Sequence, residues 1–441
     1  MLKSISLLII CLVLALGFWH LFSQLDTVES QSVPSNFKGA LLAASDADML
    51  ATAYADGILN KVAGIEDSLS YIHPNGTVIS QSHISNSVVS WPSIIAWHAQ
   101  SRFAYVAETK GIHRSTEQQL KDVWQGLPEG ELISVVDYSK PHEPVLVQQV
   151  KAGKNIQGVS VNHDGTLLAA GSTEQGKEIV LMRLENGLIK DSHHFTEADI
   201  EAVANNNSGI RTMEFHPNQN IIAANLNNKS VVFYQVEEQG NGLALKKIGE
   251  SLEVAKHWSV GNWHPSGKYF ILSDVAWGKG DLGAILNGKG KLVSVGFDAH
   301  GEHRIISKTK VGLSPEGFDL SPDGNYAIVC NMRRTYGPKK FWFVPARKGA
   351  SLSLVKVNQA TGELSTIGKQ YGFEGALPED AVFDQESNSI AVAVFHEQDE
   401  VFPEQGWIDY WELTNDQLIR TEKRSYVTRG VHNLLLIPHQ N

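Results

Sequence analysis

Apolar side chains along this chain fall in short β-branched and aromatic runs, each bounded by Gly, Pro, Asn or Asp. Runs this short predict strands, not helices. The stretch Leu313 to Tyr336, LSPEGFDLSPDGNYAIVCNMRRTY, gives the unit in full. It predicts two strands, Gly317–Leu320 and Tyr326–Cys330, joined by Ser321-Pro322-Asp323-Gly324. Proline presets φ early in such a turn and glycine accepts a positive φ near its end.

The unit recurs at Ala96–Ala107, Val161–Gly171, Phe215–Asn225, Trp263–Ser273 and Phe383–Val394. Equivalent turn positions are Ala99, His163, Pro217, Pro265, Pro322 and Gln385, separated by 64, 54, 48, 57 and 63 residues. A period of this length with only strand signals predicts blades of four strands in a β-propeller. Two further strands follow the hairpin in each copy, for instance Leu352–Val357 and Leu364–Gly368, or Ser230–Val236 and Leu243–Ile248. The last blade is shared between the chain ends. Gly430–Asn441 supplies its first strand, and Met49–Tyr54, Leu69–His73 and Thr77–Ser85 its second, third and fourth. Such closure hides edges that would otherwise pair with other chains. The fold predicted is thus all-β, a seven-bladed propeller of four-stranded antiparallel blades closed by strands from both termini. Eight blades follow instead if Gly39–Leu50 is itself a first-strand hairpin.

At 441 residues one propeller over residues 37–441 uses nearly the whole chain. The first segment, Met1 to Phe22, has Lys3 ahead of an apolar run from Ile5 to Phe22. That pattern predicts an export signal or an uncleaved membrane anchor, with residues 23–36 as a polar tether. The propeller is then periplasmic or extracellular, touching a membrane only through its leader. A net charge of −11 without a basic stripe sets nucleic acid aside as a partner. Cys11 and Cys330 are too few and too separated for a disulfide framework or a metal knuckle, and Cys330 reads as an inert core residue.

Long insertions between second and third strands mark one face as the binding face: Ala55–Ser68, Glu108–Gly130, Asp274–Lys289, Asn331–Ala350 and His396–Gln405. They carry Trp124, Trp277, Phe341, Trp342, Arg333, Arg334, His113 and His396. A small molecule or protein partner is expected there; the plainer reading is a cap over the channel mouth. Register supplies a second set. Six residues before each turn stand Ser93, Gln157, Arg211, Ser259, Glu316, Glu379 and His432, all polar. Near-rotational symmetry should gather them in a ring about the axis. Glu108, Ser172, Asp274 and Asn331, nine residues after the turn, should surround the same mouth.

Glu316 and Glu379 hold equal places in adjacent blades, with Asp380 beside the second. Neighbouring carboxylates raise one another's pKa or share a cation, so calcium is the one metal option; no dedicated loop supports it and no cofactor is expected. His432 is the candidate for acid–base work, with Arg211 or Arg333 to stabilise an oxyanion. The histidines of the His-Pro turns, His216 and His264, read as structural. Three patterns carry no chemistry: Gly278–Gly283 matches G-x-G-x-x-G without a βαβ unit, His300 and His303 lack further ligands, and G-x-S-x-G is absent.

The segments PEGFDLSPDGNYAIVCN, MEFHPNQNIIAANLNNKSVVFYQV and NWHPSGKYFILSD resemble those of lactonase-type seven-bladed propellers, a group with phosphogluconolactonase-like and muconate-cyclase-like members. The resemblance spans Gly39 to the C-terminus. It implies His, Arg and Glu at the channel mouth, roles that Arg211, Glu316, Arg333 and His432 could fill by position. Two functions follow as expectations: binding of a ligand or protein at the mouth, or opening of a lactone or related ester.

Overall fold

The Ser321–Gly324 turn joins strands Pro315–Leu320 and Tyr326–Asn331, each slightly longer than predicted. Gly324 takes φ +74° and its N–H donates to Ser321 O at 2.7 Å. In this computed structural model, residues 25–197, 209–240, 242–278, 287–337, 349–397 and 402–438 are described. The expected leader Met1–Phe22, together with Phe341 and Trp342, lies outside them. Second strands such as Tyr269–Asp274, Tyr326–Asn331 and Ser389–Val394 are apolar on both faces because neighbouring blades cover both sides. Cys330 sits in this core as a free thiol that burial pushes up.

Seven antiparallel sheets form the blades, one of them with an added short strand, Leu252–Glu253. Their innermost strands are Ile95–His98, Gln157–Val161, Ile210–Phe215, Trp258–Trp263, Pro315–Leu320, Ala381–Phe383 and Val431–Ile437. Numbered in that order, blade seven runs Val431–Ile437, Ala40–Ser45, Ser68–Ile72, Val78–Ser82. The stretch near Gly39 is therefore the second strand of the shared blade, and the count is seven, not eight. Met49–Tyr54, expected as that strand, instead leads into a single helical turn, Ala53–Asp56, closed by Gly57 at φ +68°. Its apolar residues serve a different core, described below. Residues 25–36 follow the rims of blades five and six: Val28 N–H donates to Gly372 O and Gln31 N–H to Arg420 O, both at 2.8 Å. Among the described residues no helix is long and apolar enough to cross a membrane.

Each pair of neighbouring innermost strands is tied by at least one hydrogen bond. In order round the axis these are Val159 N to Ser93 O at 2.8 Å, Phe215 N to Ser160 Oγ at 3.0 Å, and Thr212 Oγ1 to Ser259 O at 3.3 Å. Ser259 Oγ then donates to Glu316 O at 2.9 Å and Gly317 N to Glu379 O at 2.8 Å. Leu434 N to Asp380 Oδ2 at 2.8 Å and Ile94 N to Asn433 Oδ1 at 2.9 Å complete the circle. Gly317 is required at its place, since a Cβ there would lie 2.0 Å from Glu379 O. At the outer turns a second device repeats. His98, His216 and His264 each set Nε2 against the carbonyl of a turn glycine in the next blade, Gly165, Gly267 and Gly324, at 2.9, 3.0 and 3.0 Å.

Asn433 is the keystone of closure: its Oδ1 accepts from Ile94 and Ile95 N–H and its Nδ2 donates to Asp380 at 2.7 Å. Asn433→Ala leaves two buried N–H groups without their acceptor and takes one donor from Asp380, a cost of about 2–4 kcal/mol. Urea unfolding should show a clearly lowered midpoint, whereas Thr366→Ala on an exposed outer strand should leave it nearly unchanged.

Candidate active site at the channel mouth

Pairing in several innermost strands slips at the ring position. The register shifts between Ile210 and Met213, between Trp258 and Gly261, and between Pro315 and Phe318. Arg211, Ser259 and Glu316 thus lie in β-bulges, which leave a residue unpaired and re-aim its side chain. The predicted gathering occurs for three members: Arg211, Glu316 and Glu379 line one cavity of about 350 Å³. The close backbone contact of Gly317 with Glu379 puts the two glutamates at equal heights on adjacent blades.

The long loops enclose this cavity and do more than cap it. Loops of blades seven and one pair across the mouth, with Leu59 N donating to Gln118 O at 2.9 Å and Leu120 N to Gly57 O at 2.8 Å. They hold a hydrophobic core of their own, in which Met49, Ala53, Leu120, Val123, Met332 and Phe395 meet Trp124 and Trp277. That core accounts for the apolar run at Met49–Tyr54. Aromatic walls complete the cavity: Tyr54, Trp91, Trp124, Trp277 and Tyr336, with His257 among them. Trp277 is fixed by Nε1 donating to Ser314 Oγ at 3.1 Å, itself 2.9 Å from the Tyr336 hydroxyl.

Arg211 is buried, its guanidinium 5.0 Å from the Trp124 ring centroid and 5.4 Å from that of Trp91. Cation–π attraction of this kind strengthens out of water. Burial pushes Arg211 down to about 10 while Tyr54 and Glu316 pull it back, so it is charged at neutral pH. Burial also raises Glu316 well above the usual carboxylate range; Arg211 draws it down and Asp380 pushes it up. Glu379 is raised by burial and then by Glu316, Asp46 and Asp380, with no opposing cation. Arg211 thus favours the ionised form of Glu316 and is not among the groups acting on Glu379. His257, pushed down to about 4 by burial and Arg211, is a neutral imidazole at the wall.

The remaining predicted residues lie elsewhere. His432 is fully buried and stands behind Glu379, with Nδ1 3.8 Å from Glu379 Oε2. It is not among the residues lining the cavity, and burial pushes it down to about 3, which removes it as a base in contact with substrate. Arg333 is also buried outside the cavity lining, at φ +58°. Glu108, Asp274 and Asn331 fold back onto backbone. Glu108 accepts from Glu131 and Leu132 N–H, Asp274 from His257 and Ala276 N–H, and Asn331 from Gly312 N–H while donating to Ser351 O. Short polar side chains at strand ends commonly satisfy the backbone in this way. His396 accepts from Ala51 N–H at Nε2 and so donates from Nδ1 to Glu397 O, pinning the cap. Asp380 lines a second cavity of about 420 Å³ in the other half of the channel. Of the predicted binding residues, Glu379 and Trp277 line the mouth.

Trp91, His257 and Tyr54 were not foreseen. A signal exists for two of them: Trp91 and His257 stand two residues before Ser93 and Ser259, so a second ring at that offset would have found them. His303, which the sequence dismissed as a ligand, stacks on Phe297 and bonds Ile248 O. Among the described residues no group of three or more His, Cys, Asp or Glu side chains is placed to hold a metal ion.

No family model and no curated protein matches this chain. Solved structures do. The periplasmic gluconolactonase PpgL of Pseudomonas aeruginosa superposes with a TM-score of 0.63 at 12% identity, over 90% of this chain and 99% of that one. A candidate 6-phosphogluconolactonase of Bacteroides uniformis superposes at 0.62 and 14%, over 91% of this chain and all of that one. At these identities the likeness establishes the fold that the chain shares with them, a seven-bladed β-propeller.

Proposed function

We propose that this protein is a lactonase-like hydrolase that opens a small lactone or related cyclic ester at the channel mouth. One observation carries the reading: a buried arginine and two buried carboxyls, one of them under the arginine's influence, share a single aromatic-walled cavity. A site that only bound an apolar ligand would gain nothing from burying three ionisable groups, each costly to desolvate. Ester opening uses all three. Arg211 faces the carbonyl oxygen and stabilises the charge that develops on it, an interaction worth most where water is excluded. Glu316, the carboxyl that Arg211 favours as the anion, takes a proton from the attacking water. The tryptophans hold the ring of the substrate by its apolar faces. The fold neighbours named for gluconolactonase activity support the same class of reaction. The apolar leader and the periplasmic neighbour support an exported protein. Fractionation of cells making the full chain tests the location; recovery in the soluble cytoplasm would count against it.

A panel of lactones of differing ring size, followed by pH-stat, tests the activity. Arg211→Met keeps the bulk and removes the cation, and should lower kcat/KM about 100- to 1,000-fold. Turnover of every active lactone at the wild-type rate would remove this assignment. Absence of any turnover, with ligand-induced change in tryptophan fluorescence, would favour binding without chemistry.

The pH dependence has a definite sign. Glu316 works as the carboxylate, and its pKa is raised, so kcat/KM should climb as pH rises through that elevated value. Glu316→Gln should abolish this acid limb along with most activity; a limb that survives the substitution belongs to another group.

A further inference from the structure

A chain of hydrogen bonds leads from a fixed amide to Glu379. Asn86 is buried, and its Nδ2 donates to Ile84 O at 2.8 Å and to Ser45 O at 3.1 Å. Two carbonyl acceptors on one side fix which end of the amide is nitrogen. Asn86 Oδ1 must therefore be the atom 2.8 Å from His432 Nε2, and it requires an N–H there. With the proton on Nε2, a neutral His432 presents a bare lone pair at Nδ1. That lone pair faces Glu379 Oε2 at 3.8 Å, and neither atom has another hydrogen-bond partner among the described residues. The gap is longer than a hydrogen bond, and an approach of about 1 Å would close it. Catalytic contacts are often long before substrate binds.

We propose that Glu379 carries a proton at rest, that Asn86 and His432 are the positioning residues that keep it there, and that Glu379 is the acid that protonates the leaving ring oxygen. This rests on the lactone-opening reading above. The charged surroundings agree. Glu316, Asp46 and Asp380 lie close enough to Glu379 to raise it, and Tyr54 stands near Glu379, Glu316 and Asp46. Asp46 and Asp67 hold backbone N–H groups of Val88, Asp48, Ala47 and Asn86 beside the site. A further negative charge in this group would meet only repulsion from the acids, while an imidazolium would be stranded in full burial. Burial does push His432 down to about 3.

The step balances. Water adds to the carbonyl carbon and gives its proton to the Glu316 carboxylate. The ring C–O bond breaks, its electron pair goes to the ring oxygen, and that oxygen takes the Glu379 proton. A hydroxy acid is released, and the proton on Glu316 passes to Glu379, restoring the resting state.

Two spectroscopic measurements on the wild-type protein test the proton's place without any substrate. Nitrogen-15 NMR should show His432 as the neutral Nε2–H tautomer throughout the neutral range; an imidazolium or an Nδ1–H tautomer would overturn the proposal. Infrared difference spectra should show a protonated-carboxyl band that disappears in Glu379→Gln; a spectrum unchanged by that substitution would overturn it too. Glu379→Gln should lower kcat about 100-fold or more. His432→Phe removes the acceptor and should bring the alkaline limb of kcat/KM down by about one pH unit, whereas a purely structural histidine would leave the limb in place. If the spectra come out as expected while no lactone is turned over, the proton assignment stands and the hydrolase reading fails. Turnover with Glu379 ionised at rest fails the assignment alone.

Discussion

Everything at the centre of this molecule depends on seven short strands being held edge to edge around an axis. The hydrogen bonds that do so are few, and they come from whatever polar group the local sequence supplies. Some are backbone pairs, as at Val159–Ser93 and Gly317–Glu379, and others are side chains reaching across, as from Asn433 and Asp380. None can be traded for water, because the strands are buried on both sides. The geometry of the site is a consequence. Once Gly317 lies against the Glu379 carbonyl, the side chains before and at that contact have no choice but to share the mouth of the channel.

The bulges convert this ring from a scaffold into a site. A regular antiparallel ladder would direct alternate residues into the faces between blades, where Arg211 or Glu316 would need partners in an apolar layer. By skipping pairs at Ile210–Met213 and Pro315–Phe318, the strands turn those side chains toward the axis instead. The loop core then seals the outer side of the cavity with Trp124 and Trp277. Exclusion of water and placement of charge are thus achieved by different parts of the chain, the first by long insertions and the second by strand irregularity.

This division also explains what could be read from the sequence. Turn chemistry is local, so Ser321–Gly324 and its relatives gave the blade count and, through a fixed offset, three of the residues that meet. Closure of the last blade by both chain ends was legible, but its second strand was placed at Met49–Tyr54 and not at Ala40–Ser45, because Gly39–Leu50 ends in an acidic, turn-like stretch after an apolar run, which imitates a hairpin. Met49–Tyr54 looked like a strand for a similar reason: its apolar residues fill a core assembled from several distant loops, and no local pattern announces such a core. Offsets likewise say nothing about depth. His432 shares the register of Arg211 and Glu379, yet it ends one layer behind them.

Glu379 and Asp380 show most plainly how position decides role. They are adjacent in sequence, both buried, and both raised by desolvation. Asp380 accepts at Oδ2 from Leu434 N–H and the Asn433 amide, which holds blade to blade, and at Oδ1 from Ala381 N–H at the start of its own blade. Glu379 spends none of its side chain on the ring; its backbone carbonyl does that work through Gly317. Its carboxyl is left facing one imidazole on one side and the cavity on the other. A buried carboxyl whose oxygens are engaged by donors is a fastener, whereas one that faces an imidazole and a cavity is placed for the proton transfer proposed for Glu379. The fold needs the first kind; the second, which lines the same cavity as Arg211 and Glu316, is the one that the proposed hydrolysis would use.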